Sequence, residues 1–447
     1  MAGEKNDFSK GSIVGNIINL AIPMTLAQLI NVLYNIVDRI YIGRIPEHAT
    51  LSLTGLGLCL PVISIVIAFA NLFGMGGSPL CSIERGRGNE EEAERIMGNS
   101  FCMMVCCGVI LTVLGLFLKR PMLYLFGASD QTFPYADSYL SIYLLGSVFV
   151  MVGLGMNSFI NSQGFGKIGM MTVLLGAAAN IILDPVFIFT LNMGVQGAAL
   201  ATVISQGLSA AWILRFLTGK KTILKLKISC MRLEWPRVRN IVALGLSGFT
   251  MSITNSAVQM AGNASLSIHG GDLYIAAMTV INSVREVIQM PVSGISNSAQ
   301  PILSFNYGAD KNSRVKQTIR YMSVALLIYT VAAWILTMIF ARQFILLFDS
   351  TPELLSLGAS CMHIYFFGFF MMSFQFAGQS VFTALGRSKN AIFFSLLRKV
   401  IIVIPLIYLL PLTPLGVNGV FWAEPVSNFF GGAACFITMY FTVYKKL

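Results

Sequence analysis

The chain has 447 residues, of which 55% are hydrophobic and only 11% charged; its net charge is +11 and its mean hydropathy +0.74. A soluble globular protein carries about 25% charged residues, so this composition excludes an ordinary water-soluble domain and implies a membrane protein. The eight cysteines fall into no C-x-x-C or Cys/His spacing, which speaks against a disulfide framework or a zinc site.

The start, "MAGEKNDFSKGSIVGNIINLAIP", has acidic residues and no small-residue cleavage site. It reads as the lead into a first span, not as a cleavable signal. About 20 apolar residues cross the ~30 Å hydrocarbon core. Twelve stretches meet that requirement: 17–42, 52–80, 97–118, 138–162, 168–190, 197–217, 240–268, 273–302, 318–340, 359–384, 390–410 and 418–443. None shows the short alternation of a membrane β-barrel. The fold class is therefore all-α, with twelve transmembrane helices.

Basic residues collect at both ends and in the even-numbered loops: Lys5, Lys10, Arg85, Arg87, Arg95, Lys167, Lys311, Arg314, Arg387, Lys445 and Lys446 among them. The stretch around 215–239 adds Lys220, Lys221, Lys225, Lys227, Arg232 and Arg237. The odd loops hold little beyond Arg44, Lys119, Arg120 and Arg342. The positive-inside rule places both termini in the cytoplasm of a multi-pass cell-membrane protein. The positive charge is then a topology signal and calls for no nucleic acid.

The basic segment divides the chain into an N-lobe (1–218), a linker (219–239) and a C-lobe (240–447). The halves repeat. "GVQGAALATVIS" at 194–205 matches "GVNGVFWAEPVS" at 416–427, an offset of 222. "LYLFGAS" at 123–129 echoes "ILLFDST" at 345–351. Six spans per half give both halves the same orientation, a parallel repeat with a cavity expected between two six-helix bundles.

Two motifs are false leads. "GFGKIG" at 164–169 fits a dinucleotide fingerprint but follows no predicted strand and sits in a turn between spans. "NAS" at 263–265 lies within a span.

Asp38 and Asp184 carry more weight. A carboxylate at membrane depth costs about 2.5–3.5 kcal/mol or more, so it faces a bundle interior or a water cavity. With the N-terminus inside, Asp38, Asp184 and Thr202 fall at similar depth in the outer half. Asn180 and Asp184 are four apart and share a helix face. Pro185 removes a helical donor just after them. Clustered oxygens at an interrupted helix suit Na⁺, and a buried carboxylate suits H⁺. The competing reading is a polar cluster that packs the first, fifth and sixth spans. Arg39 is expected to snorkel to the outer headgroups.

The second half has no acid where Asp38 and Asp184 would repeat; those positions fall near Gly262 and Leu406. Glu424 aligns with Thr202. It either attracts an organic cation or pairs with Arg285 or another basic side chain. Arg285 and Glu286 are expected to neutralise each other, and Arg398 and Lys399 to lie nearer the cytoplasm. Met290 and the "FFGFFMMSFQFAGQ" run at 366–379, with Phe374 and Gln375, offer an adaptable surface for apolar ligands. Packing against lipid is the plainer alternative for each of them.

Taken together, "PMTLAQLINVLYNIVDRIYIGR" at 23–44, "GMGGSPLCSIERGRGN" at 74–89, "NIILDP" at 180–185 and the basic linker before a second half resemble the MATE (multidrug and toxic compound extrusion) family over nearly the whole length. The resemblance implies twelve helices in two lobes around a V-shaped cavity, and exchange of extracellular Na⁺ or H⁺ for small organic cations or amphipathic drugs. In the branch with an N-lobe ion site the matching positions are Asp38, Asn180, Asp184 and Thr202, with Tyr139 and Asn157 as further polar positions. Another branch carries acids on helices 7 and 10. Here those helices offer Asn255, Gln259 and Tyr365 but no mid-span carboxylate. Glu424 and the Arg285–Glu286 pair are not standard for the family.

The reading is a secondary multidrug antiporter acting as a monomer in the lipid bilayer. It needs no cofactor beyond Na⁺ or H⁺ as coupling ion, and no covalent chemistry. A lipid-linked saccharide flippase of related fold is the nearest alternative. A membrane-embedded transferase is weaker, since the D-x-x-x-D pattern for Mg²⁺ and diphosphate is absent.

Overall fold

In a lipid core the backbone must satisfy its own hydrogen bonds, so apolar spans fold as helices. The structure, a computed structural model, describes residues 7–45, 49–348 and 351–447. Lys5 and part of the 345–351 repeat segment lie outside them. The helices are α1 Ile13–Ile42, α2 Ala49–Gly86, α3 Glu90–Leu125, α4 Phe133–Leu145, α5 Ser147–Ser162, α6 Gly166–Pro185, α7 Gly194–Leu217, α8 Trp235–His269 and α9 Asp272–Gly308. They continue with α10 Asn312–Ile339, α11 Ala341–Leu346, α12 Pro352–Tyr365, α13 Met372–Ala384, α14 Ser388–Leu396, α15 Ile404–Leu409, α16 Asn418–Ser427 and α17 Ala433–Met439. No strand occurs among the described residues, and "GFGKIG" joins helix to helix.

Nine helical stretches among the described residues are long and apolar enough to cross a membrane, and two bent pairs bring the number to eleven. α4 and α5 form one pair, bent by 55° at Gly146; α12 and Phe369–Ala384 form the other, bent by 40°. The twelfth expected span, 273–302, is helical throughout as part of α9. Its Asn282, Arg285, Glu286 and Gln289 lower its hydropathy, although 37 residues give ample length.

The 222-residue repeat persists in the backbone. α1 and α8 start that far apart, as do α3 with α10 and α6 with α14. Gly164 and Gly386 both turn with positive φ (93° and 71°), as do Gly194 and Gly416 (54° and 53°). A left-handed turn costs glycine nothing, which explains why glycine stands at both members of each pair.

The helices form two compact units, Ile22–Gly245 and Phe8–Ala21 with Leu246–Leu447. α1 and α8 each contribute to both. In the first unit α2 packs on α3 and α5, and α6 on α7. A Cβ on Gly74 would lie 2.7 Å from the Gly155 carbonyl oxygen; small residues let α2 and α5 approach this closely. In the second unit α9 packs on α10 and α13.

The basic linker is an ordered strap on the first unit. Gln163 Oε1 accepts from Thr222 Oγ1 (2.8 Å) and from the Ile223 and Leu224 amides (both 2.9 Å). Glu94 accepts from the Lys225 amide at 2.9 Å and pairs with Lys227, and its hydrogen bond holds the Lys227 ammonium above its ordinary pKa. Arg237 grips Glu92 through two hydrogen bonds, at 2.6 and 2.8 Å. In the second unit, the Phe8 carbonyl accepts from Asn306 Nδ2 and Arg314, both at 3.1 Å. Arg387 donates to the Thr442 carbonyl at 3.0 Å. The linker thus ties to the start of α3 and the turn after α5 in the first unit, and Arg314 and Arg387 hold the chain's ends in the second.

Candidate functional site

The polar face of α1 carries Asn31, Tyr34 and Asp38, spaced three and four apart so that they line one side of the helix. α6 contributes Asn180 and Asp184 from the same face, and α7 contributes Thr202. Past Pro185 the helix widens into a π-type turn, Val186–Thr190, the local result of a missing N–H donor.

Asn180 Nδ2 donates to Asp184 Oδ1 at 3.2 Å and to Thr202 Oγ1 at 3.4 Å. The Asp38 and Asp184 side chains lie against each other. The Tyr139 hydroxyl meets Thr202, and the Tyr34 hydroxyl meets Gln206 and Asn35. Asp38 is 7% exposed, Asn180 1% and Asp184 0%. Asp38 Oδ1, Asp184 Oδ2 and Asn180 Oδ1 are buried and accept no hydrogen bond. Buried polar atoms are almost always satisfied, so three lone acceptors in one cluster call for a positive charge or a proton.

Asn180 and Thr202 also wall a small cavity together with Asn31, Tyr34, Asn157 and Gln206. The two carboxyls therefore sit immediately behind a polar cavity. Asn157 donates to the Gly169 carbonyl at 3.4 Å, and its Oδ1 is unpaired. Arg39 is exposed and turned from the cluster. Sequence reasoning had not singled out Asn31, Tyr34 and Gln206. The i, i+3, i+7 stripe ending at Asp38 was the available signal for the first two.

The second unit holds a small cavity walled by Asn255, Gln259, Arg285, Tyr365, Lys399 and Glu424 among others. Glu424 Oε1 accepts from Arg398 Nη2 at 2.5 Å and Lys399 Nζ at 2.9 Å, with Arg285 Nη1 at 3.7 Å. Glu424 thus pairs with basic side chains, the second of its two expected roles, while it also lines the cavity. Arg398 and Lys399, expected nearer the cytoplasm, reach Glu424 because the turn that carries them, Leu397–Val403, packs directly on α16. Arg285 does not pair with Glu286 among the described residues; Glu286 is exposed. Successive helical residues point about 100° apart, so neighbours in sequence do not face each other.

Met290, Phe374 and Gln375 do not line this cavity. Met290 is five residues beyond Arg285 and so faces away from it. Phe374 packs edge-on against Phe436 with ring centroids 5.0 Å apart, and the Gln375 carbonyl accepts from Cys435 Sγ.

The MatE family profile matches residues 23–186 and again 249–409, one copy in each half of the repeat. The chain belongs to the MatE family. Multidrug export protein MepA of Staphylococcus haemolyticus (strain JCSC1435) is 24% identical over 438 residues, covering 98% of this chain and 95% of that protein. An outward-facing multidrug resistance MATE transporter of the MOP superfamily superposes with a TM-score of 0.91 at 22% identity, covering 100% of both chains. A MATE in the bent conformation superposes with a TM-score of 0.91 at 23% identity, over 98% of this chain and 97% of that one. The fold is the all-helical MATE fold, whose solved members have twelve helices in two lobes. As a MatE protein the chain is a multi-pass membrane protein.

Proposed function

We propose that this MatE protein is a secondary antiporter of the plasma membrane. It exports small organic cations or amphipathic drugs in exchange for Na⁺ or H⁺ bound at Asp38, Asn180, Asp184 and Thr202. The observation that carries the reading is the cluster itself: two adjoining buried carboxyls, with three unpaired acceptor oxygens beside a polar cavity. Two carboxylates in one buried site cannot both stay charged without a compensating cation. A monovalent cation or proton supplies that compensation and leaves again when the site opens to the other side. The relatives named for multidrug export support the cargo class. Each chain carries the whole site, so the proposal requires no second copy.

The coupling route follows from α1. Its first residues belong to one unit and the remainder to the other, with Pro23 at the crossover. Loading a cation against Asp38 acts on a helix that both units share. One charge moving across 100 mV releases about 2.3 kcal/mol, enough to bias a two-state equilibrium roughly fiftyfold.

Transport by the purified protein in liposomes tests the reading. Ethidium movement should follow an imposed Na⁺ or pH gradient and reverse with it. Equal rates with and without any gradient would refute antiport. An opposed pair of gradients, Na⁺ against pH, identifies the ion.

The basic residues of the even-numbered loops and the linker support an orientation with both termini and the 219–239 linker in the cytoplasm. A single reporter cysteine at Lys220, on a cysteine-depleted background, should resist an impermeant thiol reagent added outside intact cells. Ready labelling from outside would invert the orientation.

A further inference from the structure

Three basic side chains converge on one carboxylate in the second unit. Arg398 is 3% exposed, Lys399 4% and Glu424 5%. Arg285 approaches the same Glu424 oxygen from α9. A single carboxylate balances one of the three positive charges, and Glu286, the acid next to Arg285, is exposed. Buried charges in excess of their partners are costly unless something compensates them.

The donors are also unspent. Arg285 Nε and Arg398 Nε are buried and donate to nothing. Each guanidinium has five N–H donors in a planar fork that matches a carboxylate, sulfonate or phosphate. Asn255 and Gln259 add amides to the same cavity, while Met278, Val403 and Ile407 give it apolar walls.

The local backbone is shaped for this. Arg398 and Lys399 lie in a π-type turn, Leu397–Val403, between α14 and α15. Such widened turns favour functional sites because they re-aim side chains out of the regular helical rows. At the repeat-related positions, 222 residues earlier, the first unit has Gly176 and Ala177, and Thr202 stands where Glu424 does. Both Gly176 and Ala177 line the first unit's cavity. The same architectural position is therefore small and neutral in one repeat and doubly cationic in the other. Packing alone has no use for that difference.

We infer that the second unit's cavity, walled by Arg285, Lys399 and Glu424 and backed by Arg398, is a binding site for the anionic group of an amphipathic organic acid or zwitterion. The acid group docks on the free guanidinium donors, and the apolar part rests on the walls. The site adds an acidic or zwitterionic class to the cargo and does not depend on which ion drives transport.

Calorimetric titration in nanodiscs of phosphatidylcholine alone tests it, with 2-naphthoate as probe and (2-naphthylmethyl)trimethylammonium as its cationic counterpart. Naphthoate should bind saturably, and Arg285→Gln should weaken it at least tenfold without touching the ammonium compound. Arg285 is partly exposed, with 23% of its side chain accessible, so this variant is the one expected to fold. Arg285→Lys, which keeps the charge, should restore part of the affinity. Lys399→Met should act in the same direction as Arg285→Gln. Competition by dihexanoyl phosphatidic acid but not by inorganic phosphate would identify a lipid headgroup as the anion. Competition by both would identify a free anion site. No naphthoate binding, or equal binding by wild type and a folded Arg285→Gln, would overturn the inference. Asp38→Asn should leave naphthoate binding intact, so failure of the antiport reading and failure of this one are separately visible.

Discussion

Asp38→Asn and Asp184→Asn are each expected to bring gradient-driven efflux down to the level of empty liposomes, at least tenfold below wild type, while the protein stays folded. The amide keeps the carboxyl's shape and is cheaper to bury than a charge. Each exchange also removes one member of a pair of adjoining acids, so no stabilising contact between opposite charges is lost. What disappears is the requirement for a cation. A binding measurement separates this from a general defect. A cation that binds only the folded protein stabilises it by about 2.7 kcal/mol at one hundred times its dissociation constant. If Na⁺ is the coupling ion, it should raise the melting temperature of the wild type in this way and leave both variants unmoved. If H⁺ is the ion, the wild type should show no Na⁺ effect, and efflux alone should be lost. Wild-type efflux by either variant at matched amounts would refute the cation site.

The spans were legible because lipid imposes a simple rule on the sequence, long apolar runs broken by charge. The helix ends were less so. α2 runs to Gly86 and α3 begins at Glu90, well beyond the apolar limits at 80 and 97, because a helix continues through the headgroup region on charged residues as readily as on apolar ones. The acids Asp38 and Asp184 stood out because a charge in an apolar run is expensive. Asn180 followed from Asp184 by helical spacing. Tyr34 shares the α1 stripe with Asp38, a signal present but not used; Gln206 had none, since a glutamine in a span is common and only the fold brings it beside Thr202 and Asn180. In the second unit the pairing of Glu424 with Arg285 was one of two open readings, while the expected Arg285–Glu286 neutralisation failed for a related reason. Arg285 and Glu286 are adjacent in sequence, yet Arg285 finds its acid 139 positions later at Glu424. Charge partners inside a bundle are set by which faces meet; spacing along one helix does not report that, and the repeat alignment only offered Arg285 as one candidate.

Glu424→Gln is expected to lower stability by about 3–5 kcal/mol, the range for removing one partner of a buried ion pair. The whole of that cost comes from what remains. Arg398 and Lys399 would stay buried with only a neutral amide for a partner, and a glutamine oxygen accepts a hydrogen bond without balancing charge. Adding Lys399→Met should therefore recover part of the loss, giving a favourable coupling of about 1–3 kcal/mol between the two sites. Denaturant unfolding of the reconstituted protein and the three variants, including Lys399→Met alone, measures this cycle. Additive effects would show that the two charges do not sense each other. The same variant bears on the cavity's ligand. With Glu424 neutral, an organic anion is the remaining group able to face Arg285, Arg398 and Lys399. 2-Naphthoate should then bind Glu424→Gln at least as tightly as wild type and restore more of its stability than it adds to the wild type. A carboxylate that served to attract organic cations would behave oppositely: its loss would weaken binding of the naphthyl ammonium and leave naphthoate without effect.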